Sequence, residues 1–351
     1  MVMRTTTRPR QALSIILLAA GVVAAACQGL PTPSERPGAD ETSAAPSPLP
    51  TPPGLAIVGG PFVAPTQVCA GPKPWTGVPG LVVRLAEAWH EHDGVKRRPI
   101  LDEVFAEDGL YQDPYGFPTN GRDAFWAVMG YGVAPGQYIE LLAWDDADIH
   151  HDTIRMAWRH CCPSGLSLLE GTDIATVGPD GRFSRIVSFW SRYVDEPAEG
   201  ACDGPRITTA PSSPPASDAA RQACQGSDVD WSGVPPVAQG YGKAWNERDP
   251  EARRALLDEV WAEDGTYVDV MHEAPVRGRD AFDAEIGGFI DADFGAYFEP
   301  RPTVDGDSHN GFLRMPWTFC DDAGNVVWVG EDIADLDADG RIAKLVGFFV
   351  P

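Results

Sequence analysis

The side chains of this sequence that could do chemistry are aspartates, and the most suggestive of them occur twice. Tyr111-Gln-Asp113 has a counterpart in Tyr267-Val-Asp269, and Gly171-Thr-Asp173 has one in Gly330-Glu-Asp332. Such carboxylates either hold a cation or move a proton. The cation reading is poor. Asp335-Leu-Asp337-Ala-Asp339-Gly340 begins like a calcium loop, but its twelfth position should be a bidentate Glu and is Val346. An acidic hairpin turn accounts for that stretch better. His150 and His309 fall at matching places without a metal partner at ligand spacing, and read as turn residues. No Cys-x-x-Cys pair or histidine cluster supports zinc. Neither a metal nor a cofactor is expected.

The pairing of these aspartates belongs to a repeat of the whole chain. Trp75-Thr-Gly-Val-Pro recurs 156 residues later as Trp231-Ser-Gly-Val-Pro, and Ala88-Trp89 as Ala244-Trp245. Leu101-Asp-Glu-Val-Phe-Ala-Glu-Asp-Gly-Leu-Tyr-Gln-Asp113 recurs as Leu257-Asp-Glu-Val-Trp-Ala-Glu-Asp-Gly-Thr-Tyr-Val-Asp269. Gly121-Arg-Asp-Ala-Phe125 returns as Gly278-Arg-Asp-Ala-Phe282, and Arg155-Met-Ala-Trp158 as Arg314-Met-Pro-Trp317. Two domains result, 68–195 and 224–351, joined by a Pro/Ser/Ala-rich linker at 196–223.

The elements that must position the aspartates follow the same order in each copy. An amphipathic helix comes first (Leu81 to His92; Val237 to Asn246). A second, short helix carries Leu101, Val104 and Phe105, or Leu257, Val260 and Trp261. The Tyr-x-Asp element lies on a short strand, and a third helix begins at Gly-Arg-Asp-Ala-Phe. Alternating segments then read as antiparallel strands, with Met156 and Trp158 on one face and Arg155, Ala157 and Arg159 on the other. Each copy closes with a hairpin turning at Asp180-Gly181 or Asp339-Gly340. Helices first and strands afterwards mean an α+β fold, with helices packed on one face of a curved antiparallel sheet.

This order, with Ala-Glu-Asp-Gly-x-Tyr-x-Asp, Gly-Arg-Asp-Ala-Phe and the Asp-Gly-Arg hairpin, resembles the SnoaL-like branch of the nuclear transport factor 2-like superfamily. The resemblance covers both copies and implies two tandem cone-shaped domains, each a sheet wrapped around a cavity that helices close. Within the superfamily the carboxylates resemble those of ketosteroid isomerase, which implies roles for them. Asp113 and Asp269 match the general base. Asp173 and Asp332 match a protonated aspartate that hydrogen-bonds a developing enolate. The tyrosine that completes such an oxyanion hole falls eight residues before Asp93 or Asp249, at Leu85 in the first copy and Tyr241 in the second. Only the second copy has all three, Tyr241, Asp269 and Asp332. The chemistry implied is proton abstraction beside a carbonyl.

Such folds also serve as binding and interaction modules, so three readings stand. The first is a pocket for a small apolar or amphipathic molecule, walled by Trp89, Phe125, Met156 and Trp158 and by Trp245, Phe282, Met315 and Trp317. The second is an isomerase- or cyclase-like enzyme working through domain 2. The third is a protein-contact module. Sheet-to-sheet pairing in the superfamily implies a monomer whose two domains form an internal pseudo-dimer.

The N-terminus bears on where this happens. Arg4, Arg8 and Arg10 precede an uncharged apolar run, Ala12 to Ala26, that is short for a membrane span. It ends at Ala24-Ala25-Ala26-Cys27, which resembles a lipobox, with Ala24 where a leucine is usual. The expectation is a lipoprotein signal at 1–26, lipidation of Cys27 and a Pro/Ser/Thr-rich stalk through residue 67 that lacks the apolar content to fold. The protein would then sit outside the cytoplasm, membrane-anchored by lipid alone. Losing three arginines takes the formal charge from −24 to −27, which argues against nucleic acid as a partner. Six cysteines remain in an oxidising setting. Equivalent positions should pair equivalently, giving Cys69–Cys161 and Cys224–Cys320. Cys162 and Cys202, which have no counterparts, form the third bridge.

Overall fold

The computed structural model describes residues 77–142 apart from 115 and 117, then 148–193, 231–291, 296–300 and 307–349 apart from 322, together with 69, 71, 75, 202, 203, 224 and 229. The signal, Cys27 and the stalk lie outside the described residues, as does most of the linker.

Domain 1 runs α1 (Gly80–His90), α2 (Gly94–Val104), β1 (Phe105–Gln112), β2 (Thr119–Asn120), α3 (Arg122–Gly132), β3 (Tyr138–Leu141), β4 (Ile149–His150), β5 (Thr153–Cys161), β6 (Ser167–Val177) and β7 (Phe183–Tyr193). Domain 2 repeats it with α4 (Pro236–Asn246), α5 (Pro250–Val260), β8 (Trp261–Val268), β9 (Val276–Arg277), α6 (Arg279–Asp291), β10 (Ala296–Pro300), β11 (Ser308–His309), β12 (Phe312–Asp321), β13 (Val326–Leu336) and β14 (Ile342–Phe349).

Local chemistry sets the helix starts. Asp93 caps α2 through Val95 N at 2.9 Å. Asp249 caps α5 through Glu251 N at 3.0 Å and Ala252 N at 2.9 Å. The second helix of each copy then passes into its strand without a loop. Phe105 and Trp261, expected on that helix, are already extended, at φ −121°, ψ 133° and φ −114°, ψ 129°. Their rings reach the core from the strand.

The first sheet has the order β2-β1-β7-β6-β5-β3, with β4 on β5, and the second the order β10-β12-β13-β14-β8-β9, with β11 on β12. Most pairs are antiparallel, but β1–β7 and β8–β14 are parallel. Period-two alternation divides the two faces. On β13, Asp332 and Ala334 face the helices, while Glu331 and Ile333 face outward. Tyr241, Trp245, Trp261, Phe282, Met315 and Trp317 belong to the core under domain 2, and Phe105, Phe125 and Met156 to the core under domain 1, with Trp89 packed against it.

The outward faces of the two sheets meet. Ile174, Val187 and Phe189 join Phe312, Ile333, Val346 and Phe348 in a single buried cluster. Polar arms cross around it: Arg155 to Glu331 at 3.0 Å, Arg185 to Asp335 at 2.6 Å and Arg314 to Thr172 Oγ1 at 3.4 Å. His150 and His309 are not turn residues. They end the short strands β4 and β11, and the turns begin one residue later at His151 and Asn310, both with positive φ. Both histidines serve this interface. His309 Nε2 lies 2.9 Å from the Ser188 carbonyl, and the His150 ring packs 4.8 Å from that of Phe348.

Three disulfides close the framework: Cys69–Cys161, Cys162–Cys202 and Cys224–Cys320. The third ties a residue before the domain 2 helices to β12, as the first ties the matching residue to β5. Bridges across loops this long each contribute roughly 2–4 kcal/mol.

Candidate functional site

Three elements bring the domain 2 residues together. Helix α4 carries Tyr241, the end of β8 delivers Asp269, and the middle of β13 delivers Asp332. The side chain of each is almost wholly buried, Tyr241 at 1%, Asp269 at 3% and Asp332 at 3% exposure. The Tyr241 hydroxyl donates to Asp332 Oδ2 at 2.7 Å. On the neighbouring strand, Gly347 pairs in register with Asp332. A Cβ placed there would lie 3.0 Å from Asp332 Oδ1 and 3.4 Å from the Asp269 Cβ, so this glycine separates the two carboxyl groups.

Their electrostatics differ. Burial pushes the Asp332 carboxyl up to about 7, against the opposing pull of the Tyr241 hydrogen bond. Burial, and then the nearby Asp332, hold the Tyr241 phenol well above its ordinary value. It therefore stays a donor. Asp269 is surrounded by donors instead. The Tyr267 hydroxyl gives to Oδ2 at 2.7 Å, while Met271 N, His272 N and His272 Nδ1 reach Oδ1 at 2.8, 3.1 and 2.6 Å. The other nitrogen of His272 meets Glu285 at 3.0 Å. Burial opposes charge on His272, but its hydrogen bond to Asp269 and the charges of Asp269 and Glu285 outweigh that and raise its pKa. Both oxygens of Asp269 are thus already engaged by neighbouring donors, and a substrate would have to displace one to reach them.

No family model and no curated protein matches the chain. Among solved structures, a SnoaL-like family protein from Agrobacterium tumefaciens, named as a candidate isomerase, is 35% identical over 33% of this chain and 95% of its own, with a TM-score of 0.30. The chain belongs to the SnoaL-like family. An NTF2-like protein of unknown function from an Exiguobacterium species is 21% identical, over 32% of this chain and 98% of its own, at TM-score 0.27. A Sinorhizobium meliloti protein named as a candidate polyketide cyclase is 20% identical, over 32% and 94%, at TM-score 0.25. Each match spans about one domain of this tandem SnoaL-like chain.

The first SnoaL-like domain arranges the same positions differently. Leu85 stands where Tyr241 does, so no phenol reaches Asp173. Instead Ser188 Oγ donates to Asp173 Oδ1 at 2.6 Å and the Trp158 indole at 2.8 Å. Burial raises Asp173 to about 6, with both hydrogen bonds opposing. Asp113 is half-buried and accepts from Gly116 N at 2.5 Å across its own turn. Of the residues expected to wall a pocket, Trp89, Phe125 and Met156 in one copy and Trp245, Phe282, Met315 and Trp317 in the other pack against their neighbours as core, while Trp158 is half-buried and turns its indole to Asp173. Among the described residues the best-formed cavity adjoins Tyr241, Phe298, Met315 and Pro316, and holds about 10 Å³, room for about one water.

The sequence reading missed His272, Glu285 and the donor role of Tyr267. His272 and Glu285 occur in one copy only, where domain 1 has Gly116 and Val128, so comparing the repeats could not draw them out. The exchange of Ser188 for Gly347 was visible in the repeat as Ile186-Val-Ser-Phe189 against Leu345-Val-Gly-Phe348.

Proposed function

We propose that domain 2 binds a small, mostly apolar molecule by one oxygen atom, with Tyr241 and a neutral Asp332 donating to it. The observation that carries this reading is the buried Tyr241–Asp332 pair, because Asp332 changes charge near pH 7 inside an aromatic core. A protonated carboxyl and a phenol are both donors, and an apolar surround rewards a ligand that satisfies them. The closed packing means that aromatic side chains must move to admit it. Domain 1, with Leu85 and a serine-bound Asp173, serves as the structural partner of a monomeric internal pseudo-dimer. The chain would be exported, lipidated at Cys27 and held off a membrane by its proline-rich stalk.

The isomerase- or cyclase-like reading keeps Asp332 and Tyr241 in the same roles and asks Asp269 to abstract a proton. The four donors on Asp269 favour binding over that chemistry. Tryptophan emission of the full chain across a panel of small apolar ketones and phenols tests the main reading. A saturable shift that Asp332→Asn or Tyr241→Phe weakens is the expected result. A flat response across the panel would falsify it. Turnover of an enolisable ketone that Asp269→Asn abolishes would install the enzyme instead.

A further inference from the structure

Trp158 and Trp317 occupy the same place in the two sheets. Each lies against a glycine, Gly171 or Gly330, where a Cβ would meet the indole ring at 2.7 or 2.3 Å. The two indole N–H groups end differently. That of Trp158 donates to Asp173 at 2.8 Å. That of Trp317 is buried close to the Asp332 carboxyl but makes no well-formed hydrogen bond to it, although only Oδ2 is engaged by Tyr241. A second indole shares this condition. Trp245 stands edge-on to the Tyr241 ring, 6.4 Å away at 79°, its N–H near the phenol oxygen but also buried without a partner. Leaving one such donor unmatched costs about 1–3 kcal/mol, and native proteins keep few of them. Trp261 has a third unpartnered indole nitrogen, but it packs over Gly265 and replaces Phe105 of domain 1, a core exchange.

We propose that Trp317 and Trp245 are specificity-determining donors of the domain 2 site, selecting an uncharged carbonyl oxygen on a flat apolar body and rejecting carboxylates. The inference rests on the binding reading above. The donors around Tyr241 and Asp332 are a phenol, a carboxyl and two indoles, all uncharged, and the next titratable pair, Asp269 with His272, is engaged with itself. The nearest buried cations, Arg155 and Arg314, lie on the other face of the sheet, paired with Asp148, Asp307 and Glu331. A carboxylate would enter with no counter-charge beside two aspartates. A carbonyl oxygen has lone pairs for these donors; the cavity of about 10 Å³ touches Tyr241 but neither indole, so the two indoles must turn toward an oxygen that enters there.

The test uses three ligands with one body: 2-acetylnaphthalene, 2-ethylnaphthalene and 2-naphthoate. They are titrated into the full chain labelled with ¹⁵N in its indoles, with the two resonances assigned through Trp317→Phe and Trp245→Phe. The ketone should move both N–H signals downfield and bind about tenfold or more tighter than the other two. Each variant should lose about tenfold of that preference, the worth of one hydrogen bond. Ketone binding that leaves both signals in place overturns the assignment of the indoles while sparing the pocket. Equal affinity for the ketone and the naphthoate overturns the selectivity. Signals that respond to bulk water alone, with none of the three binding, overturn both the assignment and the binding reading.

Discussion

Domains 1 and 2 hold an aspartate at the same point of the same strand and surround it with different donors. In domain 1 a serine and an indole grip Asp173, and the helix contributes only Leu85. In domain 2 the serine is Gly347, the Trp317 indole lies beside the carboxyl without a well-formed bond, and a helix tyrosine supplies the short one. Burial raises both carboxyls and two side-chain donors oppose it in each, but Asp269 and Glu331 add to the rise at Asp332 where Asp113 alone adds to it at Asp173, so Asp332 stands at about 7 against about 6. The fold supplies the desolvation, and the two substitutions beside it, Leu85 against Tyr241 and Ser188 against Gly347, change which donors oppose it. Domain 2 then adds His272 and Glu285 next to Asp269, so the titratable groups accumulate on one side of the duplication.

The interface offers the largest way to break this comparison. Arg155→Met strands Asp148 and Glu331 as buried carboxylates and should cost about 3–5 kcal/mol in urea unfolding. Arg314→Met takes the cation from buried Asp307 in the same way and should cost a similar amount, about 3–5 kcal/mol, although its contact across the interface is only the Thr172 hydroxyl. The carboxyls come next. A folded-state pKa above the unfolded one means that the native protein binds more protons in between, so stability falls as pH rises through that interval. For Asp332 the interval runs from 3.8 to about 7, a fall on the order of 4 kcal/mol; for Asp173 it runs from 3.8 to about 6, on the order of 3. Asp332→Asn should flatten the steeper part of a stability–pH curve, and Asp173→Asn a shallower part. If neither variant alters the curve, both carboxyls are ionised throughout and the contrast fails.

Converting one site into the other sharpens the point. Tyr241→Leu with Gly347→Ser gives domain 2 the residues of domain 1. Its Asp332 should then titrate nearer to Asp173 by carboxyl ¹³C shift, with the Trp317 N–H moved onto Asp332 as Trp158 sits on Asp173. The cost in stability should be about 1–3 kcal/mol. Arg185→Ala should do least. Its pair with Asp335 is partly exposed, and a loss of about 1 kcal/mol or less is expected.

Much of this was legible before any coordinates. The offset motifs and the alternation along Arg155 to Cys161 gave two domains and two-faced sheets, because a buried strand cannot shift register by one residue without exposing its core face. The repeat also named the cysteine partners, and the resemblance to ketosteroid isomerase brought Tyr241 to Asp332, although they are 91 residues apart. The parallel strand pair in each sheet was hidden, since alternation carries no strand direction. The work of His150 and His309 was hidden too: a histidine before a strand reads as a turn until a second domain packs against it. Three of the four donors on Asp269 arise from one tight turn, where Met271 and His272 fold back, and only backbone geometry reveals that.

The crossing of Arg155 to Glu331 has a reach beyond its own energy. Its mirror image is Arg314 to Thr172, a hydroxyl where the other copy has a charge. In a dimer of identical chains every substitution is made twice, and a change that suits one side of the twofold must suit the other. Here a single encoded change is felt once. Because both halves travel on one chain, they also meet at an effective concentration that does not fall with dilution of the protein. Duplication thus released one copy from symmetry while keeping the other beside it, and the second copy could gather a tyrosine, a histidine and a glutamate that its neighbour never had to accommodate.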